Sequence, residues 1–168
     1  MLTGMQLPPT RHIPGSGTAP DHVFFAAIKA QCPARVADAN WREVPPYLYG
    51  FDLYAAGYFW EAHEVWEPVW MACAPNSRER QLTAGLIQLA NACLKLEMGR
   101  LNAARRLIRE ASGHVDEAGQ EAAGRPLMGL DVEALEQDLA AYEAAASLAT
   151  AIEADALVEQ RTPLQLKV

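Results

Sequence analysis

Apolar and polar positions along the chain repeat with the 3.6-residue period of helices, and no stretch shows the strict alternation of a strand. Helix-start and helix-stop residues divide the pattern into segments. Thr18-Ala19-Pro20-Asp21 reads as a helix start, with Thr18 as cap and Val23, Phe24, Ala27 and Ile28 as the apolar stripe. Pro33 closes that helix near Gln31, and 38–46 is a connector containing Trp41. A second helix is expected from about Pro46 to Ala56, presenting Leu48, Phe51, Leu53 and Tyr54 and ending at Gly57. A third follows at once, from Tyr58 to about Cys73. After the break at Ala74-Pro75-Asn76, Asn76 and Glu79 have capping-box spacing for a long helix to Met98. Its stripe of Leu82, Leu86, Leu89, Cys93 and Leu96, widened by Ile87, Ala90 and Leu94, marks it as the most buried helix.

Gly99 ends that helix, and another is expected from about Leu101 to Ala118, with Ala104, Leu107, Ile108 and Val115 inward. A loop holding Gly124, Pro126 and Gly129 leads to Asp131, which caps a helix through Val132, Leu135, Leu139 and Tyr142. The alanine-rich continuation breaks near Ser147, and Thr150 with Glu153 offers a fresh capping box for a seventh helix. Gly57-x-Phe59-x-x-Ala62-x-x-Val65-Trp66 aligns with Gly99-x-Leu101-x-x-Ala104-x-x-Leu107-Ile108 at an offset of 42 residues. Each copy is a helix, a glycine turn and a helix with a small alanine at the crossing, a tetratricopeptide-like hairpin. Two copies are too few for an open solenoid. The expected fold is therefore all-α, a compact bundle of six or seven helices built on two helix-Gly-helix hairpins. Residues 1–18 are aperiodic and rich in Pro, Gly and Thr, which predicts a flexible arm ordered only where a neighbour pins it. A single domain over 19–160 and a tail over 161–168 complete the expected organisation.

Composition narrows the function more than the fold. A chain of 168 residues suits one domain. Its net charge of −7 disfavours nonspecific nucleic-acid binding. The longest uncharged apolar run, Leu82 to Leu94, has 13 residues and includes Gln88 and Asn91, too short and too polar to span a bilayer. The N-terminus lacks a basic start followed by an apolar run, so no signal peptide is expected. Cys32, Cys73 and Cys93 form no CxxC pair, which fits reduced thiols in a cytoplasm rather than a zinc knuckle or a disulfide framework.

Candidate chemistry concentrates between Tyr58 and Trp70, which holds three of the four tryptophans, one histidine and three glutamates. Phe59, Ala62, Val65, Trp66, Val69 and Trp70 share one arc of the helix. His63 lies at its edge, Glu67 one turn on, Glu64 further round, and Glu61 points away. Pro68 removes the bond to the Glu64 carbonyl and should bend the helix. Gln88 and Asn91, one turn apart among apolar neighbours, need partners if buried.

Gly57-Tyr58-Phe59-Trp60-Glu61-Ala62-His63-Glu64-Val65-Trp66-Glu67-Pro68-Val69-Trp70 resembles the signature of the bacterial and archaeal family called domain of unknown function 309. Gly85-Leu86-Ile87-Gln88-Leu89-Ala90-Asn91-Ala92 and Met98-Gly99-Arg100-Leu101-Asn102-Ala103-Ala104 are similar to its second half. The resemblance spans roughly Tyr47 to Val115. It implies a compact all-helical domain of small prokaryotic proteins and no activity. Gly99-Arg100 stands where the family often has Gly-Asn, and Pro68 departs from its commoner pattern.

Three readings of the polar seam remain open. His63-Glu64-Val65-Trp66-Glu67 resembles the zinc-binding HExxH with its second histidine replaced, so His63 and Glu67 would need a third metal ligand from elsewhere. A buried His63–Glu67 pair, bonded to Gln88 or Asn91 and walled by Trp60, Trp66 and Trp70, would serve packing alone. A carboxylate in a dry pocket beside tryptophan would act as an acid without metal. No phosphate loop or nucleotide fingerprint is present, and no cofactor is expected. Arg100, Arg105, Arg106 and Arg109 face either nucleic acid or the eight carboxylates of 131–159, and pairing or solvation is the simpler expectation. His12, His22 and His114 belong to no motif. The leading expectation is a non-enzymatic cytoplasmic scaffold or protein-interaction domain with a buried His–Glu seam. Its alanine-rich C-terminal helix would dock a second copy or another protein. The alternative is a small metal-dependent or acid–base hydrolase-like enzyme using His63, Glu64 and Glu67, with Trp60, Trp66, Trp70, Gln88 and Asn91 as candidate ligand-binding residues.

Overall fold

The computed structural model describes residues 2–17, 22–120 and 124–167. Among them the chain forms seven α-helices and no named strand: α1 His22–Lys29, α2 Pro45–Ala55, α3 Phe59–Ala72, α4 Arg78–Glu97, α5 Leu101–Gly119, α6 Val132–Leu148 and α7 Ala154–Glu159. Among the described residues no helix is long and apolar enough to cross a membrane. The expected Thr18 cap and Pro20 lie outside the described residues, as do 121–123 of the loop before α6.

α4 is the central rod. It packs on α3, α5 and α7, while α2 covers α3 and α6 covers α5. Its stripe of Leu82, Leu86, Leu89, Cys93 and Leu96 is fully buried, as the breadth of the apolar pattern requires. The two glycine turns share one geometry. At the end of α2, Gly57 has φ +82°, Gly57 N–H donates to Tyr54 O and Tyr58 N–H donates to Leu53 O. At the end of α4, Gly99 has φ +67°, Gly99 N–H donates to Leu96 O and Arg100 N–H donates to Lys95 O. Both are Schellman caps, which need a left-handed residue and so favour glycine. Ala62 and Ala104 are fully buried at the two crossings.

Some local expectations change. Ser77, not Asn76, caps α4: its side chain accepts from Arg80 N–H at 3.2 Å. Asn76 instead takes the left-handed conformation (φ +59°) that reverses the chain. In α1 the buried positions are Phe25 and Ile28, whereas Val23 is 82% exposed and Ala27 is also exposed. A helix this short meets α3 along one edge, which Phe25 and Ile28 suffice to fill. The Asp131 cap and the Thr150–Glu153 capping box form as the spacing requires.

Arginines close several helix ends. Arg161 donates to Ala55 O of α2, Arg80 to Cys73 O after α3, and Arg78 to Ala118 O of α5. Arg105 donates to Ala146 O, Ser147 O and Ala149 O at the end of α6. Each guanidinium meets carbonyls that the helix leaves unpaired, at the negative end of its dipole. Arg105 therefore pairs with carbonyl groups rather than with the carboxylates of 131–159.

Residues 2–17 lie along the α2–α3 hairpin. The Asp52 carboxylate accepts from Leu2 N–H (2.5 Å), Thr3 N–H (2.9 Å) and the Thr3 hydroxyl (2.7 Å). Tyr49 and Tyr58 donate through their hydroxyls to Gln6 O and Pro8 O. Arg11 reaches Gly57 O and pairs with Glu97. His12 N–H donates to Glu61 Oε1 at 2.6 Å.

Candidate functional site

The helix from Phe59 to Ala72 sends its three tryptophans to three environments. Trp66 is fully buried, its indole N–H donates to Tyr47 O at 3.0 Å, and its ring meets Phe51 edge-on. It is a core anchor. Trp60 meets Phe25 of α1 and His12 of the arm edge-on and does not line the groove described next. Trp70 is half-buried, with the Arg80 guanidinium stacked 4.0 Å above its ring.

Trp70 walls a groove of about 370 Å³ between α3, α4 and α5. From α3 come His63 and Glu67; from α4 come Arg80, Gln81 and Gln88, with Ala84 and Ile87 as an apolar floor; from α5 comes His114. The antiparallel course of α3 and α4 sorts these groups. His63 and Gln88 belong to the end nearer the start of α3; Trp70, Arg80 and Asn76 belong to the other, beside the 73–77 turn.

The pair is thus not a buried seam. His63 is half-buried and Glu67 is exposed, and among the described residues neither makes a hydrogen bond with Gln88 or Asn91. The reason is angular: the arc of α3 centred on Val65, Trp66 and Val69 fills the contact with its neighbours and leaves the next 40° of helix surface, where His63 and Glu67 sit, at the rim. Burial still holds the His63 imidazole below its ordinary value of 6.5, against the attraction of Glu64 and Glu67 and with Lys29 nearby. It is therefore neutral at pH 7. Glu64 pairs with Lys29 of α1. Asn91 is half-buried and does not line the groove. Glu61, expected to point outward, is 1% exposed because the arm covers it. Burial raises its carboxyl above the ordinary 4.5, and one oxygen lacks a hydrogen-bond partner.

Asn76, Arg80, Gln81 and His114 join the groove without having stood out in the sequence. His114 Nδ1 lies 2.8 Å from Gln81 Oε1; with the oxygen accepting, Nδ1 carries the proton and Nε2 keeps its lone pair when the ring is neutral. Arg78 and Arg80 did leave a signal: two bases in the first turn of α4 oppose that helix's own dipole, which points to work at other helix ends.

No Ser, Thr or Cys lines the groove. Burial pushes the thiols of Cys73 and Cys93 up to about 11, the reverse of an activated nucleophile. Among the described residues no three His, Cys, Asp or Glu side chains come together at metal-binding distance.

Residues 47–107 match the model of a family described as domain of unknown function, DUF309. Over this stretch the chain is similar to the DUF309 family. It runs from Tyr47 in α2 to Leu107 in α5 and so takes in both glycine turns and most of the groove. No curated protein and no solved structure matches the chain. The matched segment supplies every groove residue except His114.

Proposed function

We propose that this protein is a non-enzymatic, cytoplasmic binding domain whose site is the groove between α3, α4 and α5. One observation carries the reading. His63, Glu67 and Gln88 converge on a single cavity, and among the described residues none has a hydrogen-bonding partner in the protein. A seam kept for packing alone would bury such groups and pair them with each other, whereas these line an open cavity. A cavity of about 370 Å³ is of ligand size. An acid–base enzyme using His63, Glu64 and Glu67 is the weaker alternative: Glu64 is turned to Lys29, and no nucleophile stands beside the imidazole.

Amide chemical-shift mapping with a panel of polar fragments tests the reading. Shifts clustered on His63, Glu67, Gln88 and His114 are expected. Shifts scattered over the surface, or none, would overturn it.

A second reading concerns partners. Leu148 and Ile152 are 86% and 94% exposed where α6 gives way to the turn before α7. This exposed apolar pair favours docking of a second copy or another protein there. Sedimentation at micromolar concentration, with Leu148→Glu as the comparison, checks self-association.

A further inference from the structure

We propose that the groove takes a small aliphatic zwitterion, an ω-amino acid whose amine is held by Glu67 and whose carboxylate is held by Arg80. The inference rests on the groove being a binding site and adds what it binds. Glu67 and Arg80 are the only lining residues that carry a full charge irrespective of histidine protonation, and they have opposite signs. They do not neutralise each other: no ion pair joins them among the described residues. Their separation follows from the helix. Arg80 stacks on Trp70 and bonds Cys73 O, three to six residues beyond Glu67, or about 5–9 Å along α3 at the helical rise. A ligand that bridges them needs its own charges set apart by a chain, which an α-amino acid lacks.

The anion end is built in advance. The Trp70 ring and Cys73 O fix the Arg80 guanidinium, and a planar fork held this way presents its remaining N–H groups as a carboxylate receptor. The amides of Asn76 and Gln81 line the groove as well. At the cation end, Glu67 is exposed and unpartnered, and His63 is a neutral imidazole that offers a lone pair without repelling an ammonium. Between the two ends, Ala84, Ile87 and the Trp70 ring supply an apolar floor for methylene groups. A peptide backbone in that place would bring an amide onto apolar side chains, so the aliphatic linker is the better fit.

The test is a titration of the full chain with 6-aminohexanoate, hexanoate, hexylamine and diglycine, followed by amide shifts. The zwitterion is expected to bind at the groove about fivefold or more tightly than either singly charged probe, the gain of one ion pair at a partly exposed site. Glu67→Gln should remove that advantage and leave hexanoate affinity unchanged. Glu67 has no hydrogen-bonding or ion-pair partner among the described residues, so this variant should fold normally; Arg80→Gln, which also loses the Cys73 contact, is read only alongside its melting temperature. Equal affinities for the three hexyl probes, or a ranking that survives Glu67→Gln, overturn the zwitterion. So does a groove that answers the fragment panel but none of these four probes, with the binding-site reading then left standing. Tighter binding of diglycine overturns the aliphatic linker. Silence from both the panel and the probes overturns the groove itself.

Discussion

The hairpins α2–α3 and α4–α5 use the same turn and fill it differently. Gly57 and Gly99 take the same left-handed conformation and the same pair of capping bonds. Phe59, Ala62, Val65 and Trp66 of the first are all buried, and so are Leu101, Ala104, Leu107 and Ile108 of the second. Beyond these positions the hairpins part. The first is packed with aromatic rings: Tyr47, Phe51, Tyr54, Phe59 and Trp66 form a chain of ring contacts. The second is aliphatic. The comparison also locates the groove. His63 and Arg105 occupy equivalent places 42 residues apart. Arg105 reaches across to the end of α6 and closes that contact. His63 makes no such bond among the described residues, and it lines the groove instead. A repeated backbone thus carries a helix-closing arginine in one copy and a groove-lining histidine in the other.

The sharpest way to break the comparison is to add one methyl group to each hairpin. A Cβ at Gly50 would lie 2.1 Å from Trp66 Nε1 and 2.3 Å from its Cε2. The indole cannot retreat, since its N–H is bonded to Tyr47 O and its ring is packed on Phe51. Gly50→Ala should cost about 3 kcal/mol, the upper range for overpacking. A Cβ at Gly85 would meet Val115 Cγ2 at 2.7 Å. Val115 must shift to admit it, but the clash is with one methyl rather than a fixed ring, and alanine favours the helix by about 1 kcal/mol over glycine, so Gly85→Ala should cost about 1 kcal/mol. Urea denaturation of both variants measures the difference. Equal costs would mean the aromatic hairpin is no stiffer than the aliphatic one.

Among the described residues the N-terminal arm is strapped mainly to the first hairpin: Asp52 accepts three hydrogen bonds from Leu2 and Thr3, whereas a single ion pair, Arg11–Glu97, ties the arm to the second. Asp52→Ala should cost about 2 kcal/mol, in the range for hydrogen bonds to a charged group. Hydrogen exchange should then accelerate at Leu2 and Thr3 while α4 and α5 stay protected. Loss of protection throughout would make the arm part of the core.

The shared turns give a smaller and more even effect. Gly57→Ala and Gly99→Ala each place a Cβ in left-handed backbone, at about 1 kcal/mol. The new atom finds open space at Gly99 and an ordinary 3.4 Å contact with Arg11 at Gly57. The two variants should therefore match in melting temperature. A marked inequality would show that the turns are alike in shape only.

What the sequence made legible divides along the same line. Turns, caps and the α4 stripe are local or periodic, and they are found where Gly57, Gly99, Asp131 and Thr150 put them. Glu61 is buried by an arm that has no periodicity, so no helical wheel reports it. The exposure of Glu67 turns on how far α4 wraps α3, a tertiary quantity. Among the groove residues, His63, Glu67, Trp70 and Gln88 show in the pattern because they stand near apolar stripes. His114 and Arg80 reach it from other helices or through another helix's end, and only the misplaced charge of Arg80 hinted at it.

The smallest effect concerns Glu61, whose place in the second hairpin is taken by Ala103. Burial beneath the arm raises its carboxyl above the ordinary 4.5, although the His12 N–H and nearby Arg11 oppose the rise. The folded protein thus binds a proton at Glu61 more tightly than the unfolded chain does. Stability from this group is greatest below the unfolded value, falls as pH rises through the folded value, and is flat above it. Glu61→Gln keeps an oxygen for the His12 N–H and removes the ionisation. At pH 7 the variant should equal or slightly exceed the parent in melting temperature. The parent should gain on it as pH falls towards 4, because only the parent then recovers the cost of a buried charge. Differences between the two proteins cancel the carboxylates they share, Glu97 and Glu136 among them, whose values burial also raises. A parent that loses ground to the variant on acidification would mean that the arm stabilises the ionised carboxylate, with the His12 and Arg11 contacts outweighing desolvation.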